Sequence, residues 1–316
     1  MSFLRRQESY PSNKMSNNTT PKQIGLKIFS LFSVVRGYNI IALIVAQYLA
    51  AIFIFSPHKS LRHVLLDANL FFIVLASVCV VASGYIINNF YDKEKDQINR
   101  PVKSKIDGYV SQKTKLSIYF LLNFIGVLLA YLVSWKASAF FSIYIFLIWF
   151  YSHKLKKYPI VGLVSAAILT ILPFFAVFVY YKNFSEIIFV HAVFLFLLLL
   201  IRELMKNLEN IDGDILVNNQ TVAVKYGELF IKKWSTFLLL LILIPIYLLW
   251  QYPEIGWMKY YFYAAGFSLL IFIFLLWRSN TKQRYIILHN LLKLLIFAGI
   301  LSLMLIDTSV IIGRLI

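Results

Sequence analysis

Apolar stretches of roughly 16 to 24 residues, each closed off by charge, recur along this chain and constrain its fold more than any other feature. They read at 37–55, 69–90, 115–135, 138–152, 159–181, 186–205, 234–250, 258–277 and 286–306. Each is near the ~20 residues that cross a bilayer as a helix, and lipid offers an unpaired backbone no hydrogen-bond partner. The fold class this predicts is all-α: a polytopic membrane protein of about nine transmembrane helices. Composition agrees, because a chain that is 60% hydrophobic and 14% charged is not a soluble globular domain. Lys154, Lys156 and Lys157 shorten the fourth run, and Pro173 predicts a kink in the fifth.

Residues 1–24 are polar and rich in Ser, Asn and Pro, which predicts a disordered tail ahead of a membrane domain over 25–316. Arg5 and Arg6 are followed by no nearby apolar segment, so they do not read as an export signal. Cys79 is the one cysteine, which excludes an intramolecular disulfide and speaks against a Cys-based metal site. The five histidines have no metal-ligand spacing. The net charge of +17 is explained by its distribution. With nine spans and the tail inside, Arg5 to Lys27, Lys93 to Lys115, Lys154 to Lys157, Arg202 to Lys233 and Arg278 to Arg284 share one side. The other side receives Lys59, Arg62, Lys136, Lys182, Lys259 and Arg314. That asymmetry predicts a cytoplasmic-membrane protein with its N-terminus in the cytoplasm, and it leaves no basic stripe for nucleic acid.

Two polar segments then stand out. In NNFYDKEKDQINRP (88–101), Asn88, Asp92 and Asp96 lie on one helical face directly after the second run. In RELMKNLENIDGD (202–214), Asn210 and Asp214 repeat the Asn88–Asp92 spacing after the sixth run. Four helices separate the segments, so both emerge on the same side of the membrane and can face one cavity. One such segment alone reads as a solvated helix end; the matched pair reads as a site. Clustered carboxylates need a cation between them, and Mg²⁺ takes carboxylate, amide and phosphate oxygens. Arg100, Lys156, Arg202 and Lys206 are placed to meet the outer oxygens of a diphosphate. A substrate with a diphosphate head and a hydrocarbon tail suits such a site beside lipid. Glu203 either reaches the cavity or pairs locally with Arg202 or Lys206, and Lys293, inside the ninth run, reads as snorkelling to the interface.

At these residues the chain resembles the UbiA superfamily of intramembrane prenyltransferases. Asn88-Asn89-Phe90-Tyr91-Asp92, Asp96 and Asn99-Arg100-Pro101 are similar to its first motif, and Asn207, Asn210 and Gly213-Asp214 to its second. YSHKLKKYPIVG (151–162) resembles the motif between them, TVAVKYG (221–227) the one after, and Arg36 with Asn39 an early Arg-x-x-Asn. The pattern over 202–214 looks most like the branch acting on glycerol-phosphate lipids. Asn89, Asn207 and Asn210 stand where the family often has Asp, and Leu163 where it often has Asn. The resemblance implies helices around a central cavity and Mg²⁺-dependent transfer from a long-chain prenyl diphosphate, releasing pyrophosphate. The acceptor it implies is lipophilic, of glycerol-phosphate lipid or quinone-precursor type. Metal ligands would be Asp92, Asp96, Asn210 and Asp214, with Glu209 and Asp212 as substitutes, and Arg100 and Lys156 would join the carboxylates in catalysis. Substrate contacts would fall to Arg36, Asn39, Asn88, Asn89, Tyr151, Arg202, Lys206, Asn207 and Asn210. The rival expectation is a transporter or lipid-binding protein that uses the same acidic cavity without chemistry.

Overall fold

The structure, a computed structural model, describes residues 21–307, so most of the expected tail lies outside the described residues. Among the described residues the chain forms helices only. An unexpected α1 (Pro21–Val34) leads into α2 (Gly37–Ala50), which a π turn extends to Phe55, and a short α3 (Leu61–Leu65) follows. Next come α4 (Ala68–Tyr91), short α5 (Lys93–Asn99) and α6 (Pro101–Asp107), then α7 (Gln112–Val133), α8 (Trp135–His153) and α9 (Pro159–Tyr181). After α10 (Glu186–Glu209) and short α11 (Ile211–Leu216) come α12 (Val222–Gln251), α13 (Lys259–Arg278) and α14 (Lys282–Ser302). Eight of the described helices are long and apolar enough to cross a membrane, and the 19-residue α8 packs among them as a ninth. The expected run at 234–250 begins earlier, because α12 continues back through a break at Gly227, whose φ of 79° suits glycine.

The ends of the spans are written in the sequence. Asp67 caps α4 by accepting from the backbone N–H of Asn69 and Leu70, Ser111 caps α7, and Ser134 alone joins α7 to α8 while capping the latter. Pro159 occupies the first turn of α9, where its missing N–H costs nothing. Pro173 inside α9 frees the carbonyl of Leu169, and the hydroxyl of Tyr144 on α8 donates to it at 2.8 Å. Gln47 ties the same region together: its buried Nε2 donates to Ser77 Oγ on α4 at 2.9 Å and to Pro173 O at 2.8 Å.

Two helices are more enclosed than the rest. Sixty-one per cent of the membrane window of α4 and of α10 is buried, against 17% for α7, so α4 and α10 form the inside of the bundle. Both polar segments continue these two inner helices. At their ends the backbone leaves helical geometry for one residue, at Asp92 (φ −93°, ψ 10°) before α5 and at Asn210 (φ −106°, ψ 10°) before α11, and α5 packs on α11. Asn99 is the joint: its Nδ2 donates to Asn210 O at 3.2 Å, and its Oδ1 accepts from Gly213 N at 3.3 Å. Only glycine fits at 213, where a Cβ would meet Asn99 Nδ2 at 2.3 Å.

Candidate active site

A cavity of about 700 Å³, counting its open mouth, lies between the two segments. Asn88, Asp92, Lys95, Asp96 and Arg100 form the wall from α4 and α5, and Glu203, Lys206, Asn207 and Asn210 the wall from α10. Arg36 enters from the turn between α1 and α2, in a left-handed conformation (φ 52°, ψ 58°) that a residue with a side chain rarely adopts, and its guanidinium lies 5.1 Å from the Tyr85 ring. Lys156 comes from the turn between α8 and α9. That turn is tight because Gly162 lets α9 approach it: a Cβ there would stand 2.9 Å from Leu155 O and 3.1 Å from Lys156 Cα. Tyr151, Tyr158, Leu163 and Ala166 give the cavity an aromatic and apolar side.

The charges are interlocked across the walls. Lys156 Nζ sits 2.7 Å from Asp92 Oδ1 and 3.5 Å from Asn88 Oδ1, while Lys95 Nζ on α5 reaches Asp214 Oδ1 on α11 at 2.5 Å. Asp214 is fully buried; Asn219 Nδ2 donates to its Oδ1 at 3.1 Å, and its Oδ2 has no hydrogen-bond partner. Asp96 lines the cavity, and among the described residues nothing hydrogen-bonds to its carboxylate. Burial alone would raise the Asp92 carboxyl, yet Lys156 and Lys95 hold it below the ordinary carboxylate range. Asp96 goes the other way, pushed up by burial and by the charge of Asp92. Burial lowers the Lys156 ammonium despite its contact with Asp92.

Of the residues the sequence singles out, the fold brings Arg36, Asn88, Asp92, Asp96, Arg100, Tyr151, Lys156, Lys206, Asn207 and Asn210 to this cavity. Asp214 stands behind it, joined through Lys95. Glu203 satisfies both expectations, lining the cavity while bonding Arg202 at 2.8 Å and Lys206 at 2.7 Å. Five residues lie elsewhere. Asn39 donates to Tyr85 OH at 3.0 Å. Asn89 faces away into a buried cluster, donating to Asp107 Oδ2 and accepting from Lys115 Nζ, each at 2.9 Å. Arg202 lies beside Glu203, Glu209 bonds Arg100 at 2.8 Å and His289 at 2.6 Å, and Asp212 is exposed, 3.8 Å from Lys282. Lys95, Asn219 and Thr221 join the cavity without having been anticipated. Lys95 carried a signal, since it lies one residue before Asp96 within the first segment, and Thr221 opens the TVAVKYG motif; Asn219 carried none.

An all-helical membrane bundle with a polar pocket built at the ends of its two inner helices suits a substrate with a charged head and an apolar tail. The sequence pattern of the UbiA prenyltransferase family matches residues 39–294, and the chain belongs to that family. Among its relatives, the digeranylgeranylglyceryl phosphate synthase of Saccharolobus solfataricus is 28% identical over 223 residues, 70% of this chain and 76% of that one. The enzyme of the same name from Pyrococcus horikoshii is 33% identical over 161 residues, 50% of this chain and 56% of that one. A solved structure of a digeranylgeranylglyceryl phosphate synthase superposes with a TM-score of 0.67 at 20% identity, covering 91% of this chain and 98% of that one. A UbiA homologue from Archaeoglobus fulgidus, solved bound to GPP and Mg²⁺, gives 0.63 at 15% identity, covering 87% and 99%. These likenesses establish the fold: a polytopic UbiA-type bundle, and an integral membrane prenyltransferase.

Proposed function

We infer that this chain transfers a prenyl group from a prenyl diphosphate to a lipid acceptor, with Mg²⁺ bound between the α4–α5 and α10–α11 walls. The observation that carries the reading is the convergence of Asn88, Asp92 and Asp96 with Asn207 and Asn210 on one pocket, among Lys156, Arg100, Arg36 and Lys206. The names of its relatives favour a glyceryl-phosphate lipid as acceptor.

The residues present fit the metal. Asp214 Oδ2 is a buried oxygen without a partner, and Asp96 has an unbonded carboxylate in the cavity. Lys95 and Lys156 now neutralise Asp214 and Asp92, so both carboxylates sit where a cation is wanted. Among the described residues no three acidic, His or Cys side chains stand close enough to hold one ion by themselves, so diphosphate oxygens would have to complete its shell. Asp92 and Asp96 with the amide oxygen of Asn88 would offer ligands from one wall, and the amide oxygen of Asn210, with Asp214 behind it, from the other. Bound there, Mg²⁺ supplies electrostatic stabilisation of the departing pyrophosphate.

The chain's own groups do the rest. Lys156, released from Asp92, and the guanidinium nitrogens of Arg100 that do not bond Glu209 meet the outer oxygens and fix the head group. Leu163, Ala166 and the rings of Tyr151 and Tyr158 keep water from the carbon that loses its C–O bond, and aromatic faces tolerate positive charge there. The Lys/Arg asymmetry supports a cytoplasmic mouth for the pocket. The test is to incubate purified protein in nanodiscs with Mg²⁺, labelled geranylgeranyl diphosphate and a panel of acceptors. Pyrophosphate release with a product heavier than its acceptor by one geranylgeranyl group is expected. Donor binding without pyrophosphate release would favour a carrier instead.

A further inference from the structure

The pocket does not account for all of the positive charge around it. Along the seam of α10 and α14, His289 Nδ1 lies 2.6 Å from Glu209 Oε2, which fixes the rotation of α14. Lys293, one turn on, therefore faces the same seam. It is partly buried in a membrane-spanning helix and makes no hydrogen bond or ion pair among the described residues. Arg202 lies two turns before Glu209 on α10 and so shares its face toward the seam, and the charges bearing on Lys293 are those of Arg202, Arg36, Glu209 and Arg100, three of them cations. The carboxylate in that set is already taken by Arg100 at 2.8 Å and by His289. Arg202 is no better matched. It shares Glu203 with Lys206, and its Nε is buried without a partner.

Neighbouring cations without a counter-ion are costly where water is scarce, and an ionisable side chain inside a membrane helix marks a functional site by default. The missing component is an anion. It is not the donor's head group, which Lys156 and Arg100 already serve. We propose that Lys293 and Arg202 bind the phosphate monoester head of the acceptor lipid, at the α10–α14 seam beside the donor pocket. A dianion satisfies both side chains at once, and the planar guanidinium fork suits phosphate oxygens. Arg36, which lines the donor pocket and acts on Lys293, connects the two anion sites.

The proposal rests on the prenyl-transfer reading for the word acceptor, so its test is run without donor or Mg²⁺. Binding to the protein in zwitterionic nanodiscs is measured for geranylgeranylglyceryl phosphate, for the same lipid without its phosphate, and for 4-hydroxybenzoate. Wild type should prefer the phosphate form to the alcohol at least tenfold, and Lys293→Arg should keep that preference. Lys293→Met should reduce it to within threefold, while its ligand-free melting midpoint stays at or above that of wild type because an uncompensated cation is gone. Equal binding of the two lipids to wild type, an undiminished preference in Lys293→Met, or tighter binding of 4-hydroxybenzoate would each overturn the proposal. Failure of prenyl transfer itself would appear separately, as bound donor and acceptor that form no product.

Discussion

Replacing Gly213 by alanine tests how the two halves of the site are held in register. The added Cβ would stand 2.3 Å from Asn99 Nδ2 and 2.8 Å from Asn99 Cγ, closer than any stable contact. Asn99 is buried, and its amide makes two hydrogen bonds to the α11 turn, beside the Lys95–Asp214 ion pair that also joins α5 to α11. If Asn99 rotates away, those bonds are lost at about 0.5–1.5 kcal/mol each, and the unmet N–H of Gly213 adds to the loss. A destabilisation of about 2–4 kcal/mol is therefore expected. If α11 moves instead, Asp214 and Asn210 move with it, and a displacement of about 1 Å at a positioned group costs on the order of 100-fold in rate. Thermal unfolding in nanodiscs and turnover of the prenyl diphosphate read the two routes. Asn99→Ala removes the obstruction together with the bonds, so Asn99→Ala combined with Gly213→Ala should be little worse than Asn99→Ala alone. Wild-type stability and turnover in Gly213→Ala, or simple additivity in the double variant, would refute the joint.

Other expectations follow from the same geometry. Asp92→Ala, Asp96→Ala and Asp214→Ala should each lower turnover at least 100-fold while circular dichroism shows unchanged helix content. Asp96→Asn should raise the melting midpoint of the metal-free protein at neutral pH while turnover is lost. The sign follows from its raised carboxyl: the fold binds that proton more tightly than the unfolded chain does, so stability falls as pH rises from the ordinary carboxylate value through the folded one. The variant should lack that fall, and an identical pH–stability curve would contradict it. Tyr144→Phe should cost about 1–2 kcal/mol by leaving the Leu169 carbonyl unpaired at the Pro173 kink, as thermal unfolding would show. Reporters at residues 108 and 218 should be cytoplasmic and those at 60 and 183 external; finding 108 and 218 on opposite sides would end the shared-cavity account.

The spans were legible because lipid imposes one rule, an apolar helix of bilayer length, and the chain obeys it nearly everywhere. The exceptions have local causes. The helix Pro21–Val34 is too short to span, and only its packing on α6 and α2 identifies it. The pairing of the segments was legible as well, since the Asn88–Asp92 spacing recurs at Asn210–Asp214. What spacing does not reveal is which way each side chain turns at the break after a helix. Asn88 and Asn89 are adjacent, yet one lines the cavity and the other anchors Asp107 and Lys115. Glu209 could be recognised as an acid near the motif but not as the partner of His289, because that contact joins residues 80 apart in the chain.

If both walls hold one Mg²⁺–diphosphate head group, donor affinity as a function of Mg²⁺ in Asp92→Ala and Asp214→Ala beside wild type is the most direct measurement of it. Wild type should bind geranylgeranyl diphosphate more tightly as Mg²⁺ rises, and both variants should lose that dependence, one from each wall. If either variant keeps the wild-type Mg²⁺ dependence, the wall it belongs to does not hold the head group and the shared site is contradicted.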